Sequence, residues 1–250
     1  MGRLEGKVAV VTGGGRGIGR AVCLAYAKEG ADVVVNYASK DQPAQEVVEM
    51  IKKIGRKAIA VKANVAVKAD AEKIIQTAVD GLGKIDILVN NAATNPTMAS
   101  SIDVDERTWD SIMNLNLKGL FFLSQAVARV MRGKGGGKII NVASVAGITP
   151  DILPLYSISK AGVIMATKVM AREWAQYNIR VNAIAPGLTK TRFSEALWKN
   201  PDILQMAMSR TPLARPAEPE EMVGAMIYLA SDASSYVTGQ VIALDGGMTI

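Results

Sequence analysis

Tyr156 and Lys160 stand four residues apart in the run Tyr156-Ser157-Ile158-Ser159-Lys160. On a helix, positions i and i+4 share a face about one turn apart, which sets an ammonium beside a phenol. A free phenol has a pKa of about 10 and is a poor proton shuttle near neutrality. A fixed cation nearby favours the phenolate and lowers that pKa. This matters because the sequence contains no histidine, so the usual residue for acid–base chemistry near pH 7 is missing. Tyr and Lys at this spacing also occur on ordinary exposed helical faces, so the reading depends on what accompanies them.

A second feature lies near the start of the chain. Thr12-Gly13-Gly14-Gly15-Arg16-Gly17-Ile18-Gly19 joins an apolar strand pattern to a helical one. Glycines at 13, 17 and 19 allow a tight turn and let backbone N–H groups approach a pyrophosphate at a helix N-terminus. The spacing is Gly-x3-Gly-x-Gly rather than the commoner Gly-x-Gly-x-x-Gly. By contrast, the glycine run at 133–138 precedes a strand and lacks the Ser or Thr that follows a P-loop lysine, so it reads as a flexible turn. At the end of the second strand, NAD-preferring dinucleotide folds place an acid for the ribose 2′-hydroxyl. Here Asn36 stands there, followed by Tyr37-Ala38-Ser39-Lys40. The missing carboxylate, with Arg16 in the glycine loop and Lys40 nearby, suits a 2′-phosphate and so NADP over NAD.

The elements that must position these groups alternate throughout. Apolar strands are expected over 7–12, 32–36, 58–62, 85–90, 138–143, 180–185 and 241–244, with amphipathic helices over 17–29, 42–54, 69–82, 105–131, 154–177 and 219–230. Gly30, Gly55 and Gly83 fall where helix C-caps are expected. Such alternation predicts βαβ units with right-handed crossovers and a doubly wound parallel sheet. With no repeat, low-complexity tract or linker, residues 1–250 read as one domain. The long excursion at 187–219 carries Phe193, Leu197, Trp198, Met206 and Met208. It is either a substrate lid at the strand C-terminal edge or an ordinary packed helical hairpin.

Composition narrows the function classes. Hydrophobic residues make up 49% and aromatics only 5%, so the core is aliphatic, as suits strands buried on both faces. One cysteine, Cys23, excludes an intrachain disulfide and fits a reducing cytosol. One Cys and no His cannot supply a structural zinc site, and no metal is expected. No apolar run is long enough to span a bilayer. The first strand begins too early to leave room for a signal peptide, and Met1-Gly2 lacks the Ser or Thr at position 6 of a myristoylation start. The net charge of +6 comes without a dense basic stripe or interleaved aromatics, so nucleic acid is not an expected partner. A cytoplasmic protein is expected.

The glycine loop, Asn90-Asn91-Ala92 after the fourth strand, Asn116, Ser144, Tyr156-x3-Lys160 and Pro186-Gly187 together resemble the short-chain dehydrogenase/reductases, in order and across residues 4–247. The resemblance implies a single-domain Rossmann fold with a seven-stranded parallel sheet, NADP(H)-dependent hydride transfer between nicotinamide and a carbonyl or secondary alcohol, and a homotetramer. It implies that Tyr156 exchanges the proton with the substrate oxygen and Ser144 holds that oxygen. Lys160 would lower the Tyr156 pKa and bond the nicotinamide ribose, and Asn116 would sustain a water chain. Gly13, Arg16, Gly17, Ile18 and Gly19 would line the phosphates. Asn64 would face adenine, Asn91 and Ala92 would flank the adenosine ribose, Thr189 and Thr191 would flank the nicotinamide carboxamide, and Asn36, Tyr37, Ala38, Val65, Ala93, Pro186 and Gly187 would also contact the cofactor. The bare chemistry agrees, because a developing oxyanion needs oriented donors and one tuned acid.

Three departures from the family pattern stand out. Asn64 replaces the usual Asp at adenine, Ala93 replaces the usual Gly, and the run from Ser144 to Tyr156 is one residue shorter than in many members, with Pro150-Asp151-Ile152-Leu153-Pro154 inside it. For the substrate, the stretch from Asn36 to Lys62 looks like 3-oxoacyl-acyl-carrier-protein reductases. Arg129 and Arg172 fall where those dock an acidic carrier, though both also fit ordinary exposed helix positions. Asn91-Ala92-Ala93-Thr94-Asn95-Pro96, Ala185 to Thr191 and Leu197-Trp198 look instead like broad carbonyl reductases, and sugar dehydrogenases share similar N-terminal halves. A non-catalytic dinucleotide-binding sensor is the remaining alternative.

Overall fold

A computed structural model describes residues 2–95 and 99–250. Met1 of the myristoylation reading and Pro96 of the carbonyl-reductase reading lie outside these residues.

Seven strands form one sheet in the order β3-β2-β1-β4-β5-β6-β7. They are β1 (Val8–Val11), β2 (Asp32–Tyr37), β3 (Ala58–Lys62), β4 (Ile87–Asn90), β5 (Gly137–Val142), β6 (Ile179–Pro186) and β7 (Val241–Leu244). Every neighbouring pair is parallel. Alternation along each strand separates two cores. Ala9, Val11, Val33, Val35, Ile87 and Val89 face one, with α1 (Gly17–Lys28), α2 (Gln42–Lys53) and α9 (Val223–Ala230). Val10, Val34, Val61, Leu88, Ile139 and Val181 face the other, with α3 (Lys68–Leu82), α5 (Leu120–Arg132) and α6 (Pro154–Trp174). The doubly wound, one-domain expectation is met.

The strand order reverses between β1 and β4, and in such sheets the crevice beyond the strand C-termini at that point is the ligand site. Thr12 staples it. Its buried hydroxyl donates to the Val89 carbonyl at 3.2 Å and accepts from the Asn91 and Ala92 amides at 2.9 and 3.0 Å.

The helix expected over 105–131 is interrupted. α4 (Glu106–Met113), capped by the Asp105 carboxylate accepting from the Thr108 amide, gives way to a π-helical turn at Asn114–Gly119 before α5. A π turn inserts one residue without any marker in composition. The excursion after β6 holds α7 (Glu195–Trp198) and α8 (Pro201–Ser209). Among the described residues no helix is long and apolar enough to cross a membrane, and no group of three or more His, Cys, Asp or Glu side chains is placed to hold a metal ion.

Candidate active site

The glycine loop forms a cradle. Gly13 and Gly17 adopt φ of +62° and +52°, where a side chain is strained. A Cβ on Gly19 would stand 2.3 Å from the Gly13 carbonyl oxygen and 2.6 Å from Asn91 Nδ2. Asn91 Nδ2 donates to the carbonyls of Thr12 and Gly13 at 2.9 and 3.2 Å, which locks the loop to the end of β4. α1 starts at Gly17 with no side-chain cap and no acid in its first turn, so its first amides are free to meet an anion. Backbone room, orphan donors and helix dipole together fit a dinucleotide pyrophosphate.

Tyr156, Lys160 and Ser144 come together at the other end. The Lys160 Nζ, 2% exposed, donates to the Val142 carbonyl at 2.7 Å and lies 5.5 Å from the centroid of the Tyr156 ring. Burial lowers its pKa to about 8. Tyr156 is pushed above its ordinary value, first by burial, with the Ser144 hydrogen bond working against the shift and the Asp151 carboxylate adding to it. The expectation that Lys160 draws the phenol pKa down is therefore corrected. The ammonium rests over the ring face and is spent on a carbonyl, so desolvation decides both directions. The ring still borders the cleft, with Phe193 at 5.7 Å between centroids.

Asn116 takes its place through the π turn. Its Oδ1 accepts from the Thr94 amide at 2.8 Å, and its Nδ2 donates to the Thr94 carbonyl at 3.0 Å and to Ser159 Oγ at 3.1 Å. Ser159 in turn donates to the Tyr156 carbonyl at 2.7 Å. The amide thus ties the loop after β4 to the helix that carries the phenol.

Both constellations open into a cavity of about 1010 Å3. The family described as enoyl-(acyl carrier protein) reductase matches residues 13–249. The chain is 43% identical to a 3-oxoacyl-[acyl-carrier-protein] reductase from Synechocystis sp., with all of both chains covered. It is 39% identical to a 2-dehydro-3-deoxy-D-gluconate 5-dehydrogenase from Dickeya dadantii, covering 98% of this chain and 96% of that one. A gluconate 5-dehydrogenase from Burkholderia cenocepacia, crystallised with NADP and tartrate, superposes with a TM-score of 0.94 at 37% identity, covering 99% and 96% of the two chains. The chain belongs to the short-chain dehydrogenase/reductase family. As a short-chain dehydrogenase/reductase it is an oxidoreductase acting on CH–OH groups.

In this short-chain dehydrogenase/reductase, the cavity is lined by Gly13, Arg16, Gly17, Ile18, Asn36, Tyr37, Ala38, Asn64, Val65, Asn91, Ala92 and Ala93, and by Ser144, Tyr156, Lys160, Pro186, Gly187, Thr189 and Thr191, with Thr191 packed close to Gly17. Gly19 and Asn116 are not on its wall and act from behind it. Asn36 lines the cavity, yet its Nδ2 donates to the Val61 and Ala63 carbonyls at 3.3 and 2.9 Å, so the amide clamps β2 to β3. Arg16 and Lys40 both border the cavity. Asn64 Oδ1 accepts from the Ala66 amide at 3.1 Å, which leaves one lone pair. Arg129 and Arg172 are exposed on α5 and α6 and do not border the cavity.

Several wall residues escaped sequence reasoning. Asp151, Ile152, Leu153, Arg210 and Met248 line the substrate end. Only the shortened run before Tyr156 hinted at the first three. Ser159 and Thr12 carried no signal, because a hydroxyl's partners depend on tertiary neighbours.

Proposed function

We propose that this protein is an NADP(H)-dependent ketoreductase resembling 3-oxoacyl-(acyl-carrier-protein) reductases, with Ser144, Tyr156, Lys160 and Asn116 as its catalytic group. The observation that carries this reading is the opening of the phenol, the buried ammonium and the glycine cradle into one cavity. When bound, the nicotinamide dinucleotide supplies or accepts the hydride at the substrate carbon. In reduction the Tyr156 hydroxyl gives its proton to the carbonyl oxygen, and Ser144 Oγ holds that oxygen by hydrogen bond. A phenol held above its ordinary pKa stays protonated at neutral pH, the form that reduction consumes. Lys160, charged below about pH 8, stabilises the phenolate that proton release leaves behind. Asn116 holds Thr94 and, through Ser159, the first turn of α6, and in this reading supports the proton relay. The glycine loop and the start of α1 hold the pyrophosphate. Arg16 and Lys40 face a 2′-phosphate where no carboxylate repels it, and the NADP bound by the Burkholderia cenocepacia relative supports that choice.

Segment 187–219 serves as a wall over the substrate, since Phe193, Leu197, Ile203 and Met206 border the cavity. The buried free Cys23 suits a cytoplasmic enzyme. Carrier docking on Arg129 and Arg172 belongs to this reading, as does a homotetramer. Sugar-acid oxidation is the second reading, favoured by the Dickeya dadantii and Burkholderia cenocepacia relatives.

A spectrophotometric panel tests the proposal. NADPH and NADH are compared against 3-oxoacyl thioesters, free and on acyl carrier protein, simple ketones, diketones and sugar acids. NADPH-dependent reduction of 3-oxoacyl thioesters is expected, with a lower KM on the carrier. Tyr156→Phe is expected to lose at least about 100-fold in kcat while still binding NADPH. Unchanged turnover in that variant would sink the catalytic assignment, and activity confined to sugar acids would favour the second reading.

A further inference from the structure

Asp151 lines the same cavity as Ser144 and Tyr156. It sits in the shortened loop between the 3-10 turn at Val145–Gly147 and the first turn of α6. Its Oδ1 accepts from the Ile152 amide at 2.6 Å, which orients the carboxylate. None of the ion pairs among the described residues involves it. Ile152, Leu153, Phe193 and Met206 on the same cavity wall are apolar and carry no charge to pair with it. The field reaches the reacting end, because Asp151 helps to hold the Tyr156 phenol in its protonated form.

The other charges on the wall are placed differently. Lys190 pairs with Glu218 at 3.0 Å, and Arg192 acts on Glu195. Arg210, at the end of α8, is exposed. Arg16 and Lys40 belong to the glycine-loop end. Lys160 is the cation at the reacting end, buried with its ammonium on the Val142 carbonyl at 2.7 Å, and Asp151 is the carboxylate on the cavity wall.

We propose that Asp151 is a specificity-determining residue that makes the substrate end reject ketones carrying a carboxylate close to the reacting carbon and admit uncharged ones such as 3-oxo esters and thioesters. This rests on the ketoreductase reading of the same site. Asp151 could instead serve only the turn before α6. That bland role would be lost equally for every substrate, whereas a charge filter acts on the ratio.

The test uses a pair of matched 3-oxo skeletons, ethyl 3-oxobutanoate and 3-oxobutanoate, with NADPH. Wild-type enzyme is expected to favour the ester. Asp151→Asn is expected to raise kcat/KM for the acid about tenfold, the scale of one uncompensated charge in a partly wetted cleft, and to leave the ester within about threefold. Asp151→Glu should restore the discrimination. The same ratio is read as Kd by calorimetry on Tyr156→Phe saturated with NADPH, with and without Asp151→Asn, so it does not depend on turnover. An acid-to-ester ratio that Asp151→Asn leaves unchanged in both measurements overturns the proposal. A ratio that shifts in Kd on the Tyr156→Phe background, when wild-type enzyme reduces neither compound, upholds the charge filter and removes the ketoreductase reading.

Discussion

Lys160 is held in place at a cost to the fold. Its pKa falls from 10.5 to about 8 through burial, equivalent to about 3 kcal/mol against the charged form. Below about pH 8 the native state carries that cost in full. Between about 8 and 10.5 the unfolded chain keeps a proton that the native state has released, so stability rises with pH across this window. Lys160→Met removes the cost but leaves the Val142 carbonyl without its donor, a loss of about 1–3 kcal/mol. The two nearly cancel. The variant should therefore lie within about 2 kcal/mol of wild type in urea unfolding at pH 7, and lose at least about 100-fold in kcat. From pH 8 to 10 wild type should gain stability relative to the variant, and a relative loss would contradict the burial argument. The spacing put Tyr156 and Lys160 on one helix, but the direction of their pKa shifts was not legible from it. Spacing places two groups on a face, and only the packing around that face sets how much water each retains.

At the scale of elements, the glycine loop was fully legible because its constraint is local. Gly19 has no room for a methyl group, with the Gly13 carbonyl 2.3 Å from the ideal Cβ. Gly19→Ala should cost about 1–3 kcal/mol through forced backbone movement and raise the KM for NADPH. Gly133→Ala is the control, since its nearest atom is the Val130 carbonyl oxygen at an ordinary 3.6 Å; there the change should be neutral within about 1 kcal/mol. Equal effects at both positions would count against the cradle. The seven strands were legible from their apolar runs, within a residue or two at their ends. The π turn at Asn114–Gly119 was not, because an apolar period of 3.6 continues on either side of it. That turn is what brings Asn116 against Thr94 and Ser159.

For the whole molecule, the outer faces of α4, α5 and α6 leave Trp109, Phe122, Ile158, Met165 and Val169 at 40–58% exposure. Exposed apolar surface on neighbouring helices marks an interaction face, in line with the proposed homotetramer. Met165→Glu, at the most exposed of these positions, is expected to give smaller species in light scattering, with a lower Tm; an unchanged mass would place the interface elsewhere. What the sequence determined by itself is whatever depends on neighbours along the chain: strand periodicity, helix caps, the glycine turn and the i,i+4 pair. The tertiary structure alone decided that Phe193 stands against the Tyr156 ring, that Asn116 meets Thr94 and Ser159, and that Asn36 turns its amide into β3. These are contacts between residues distant in the chain, and their strength follows from burial, which exists only once the sheet and its helices have packed.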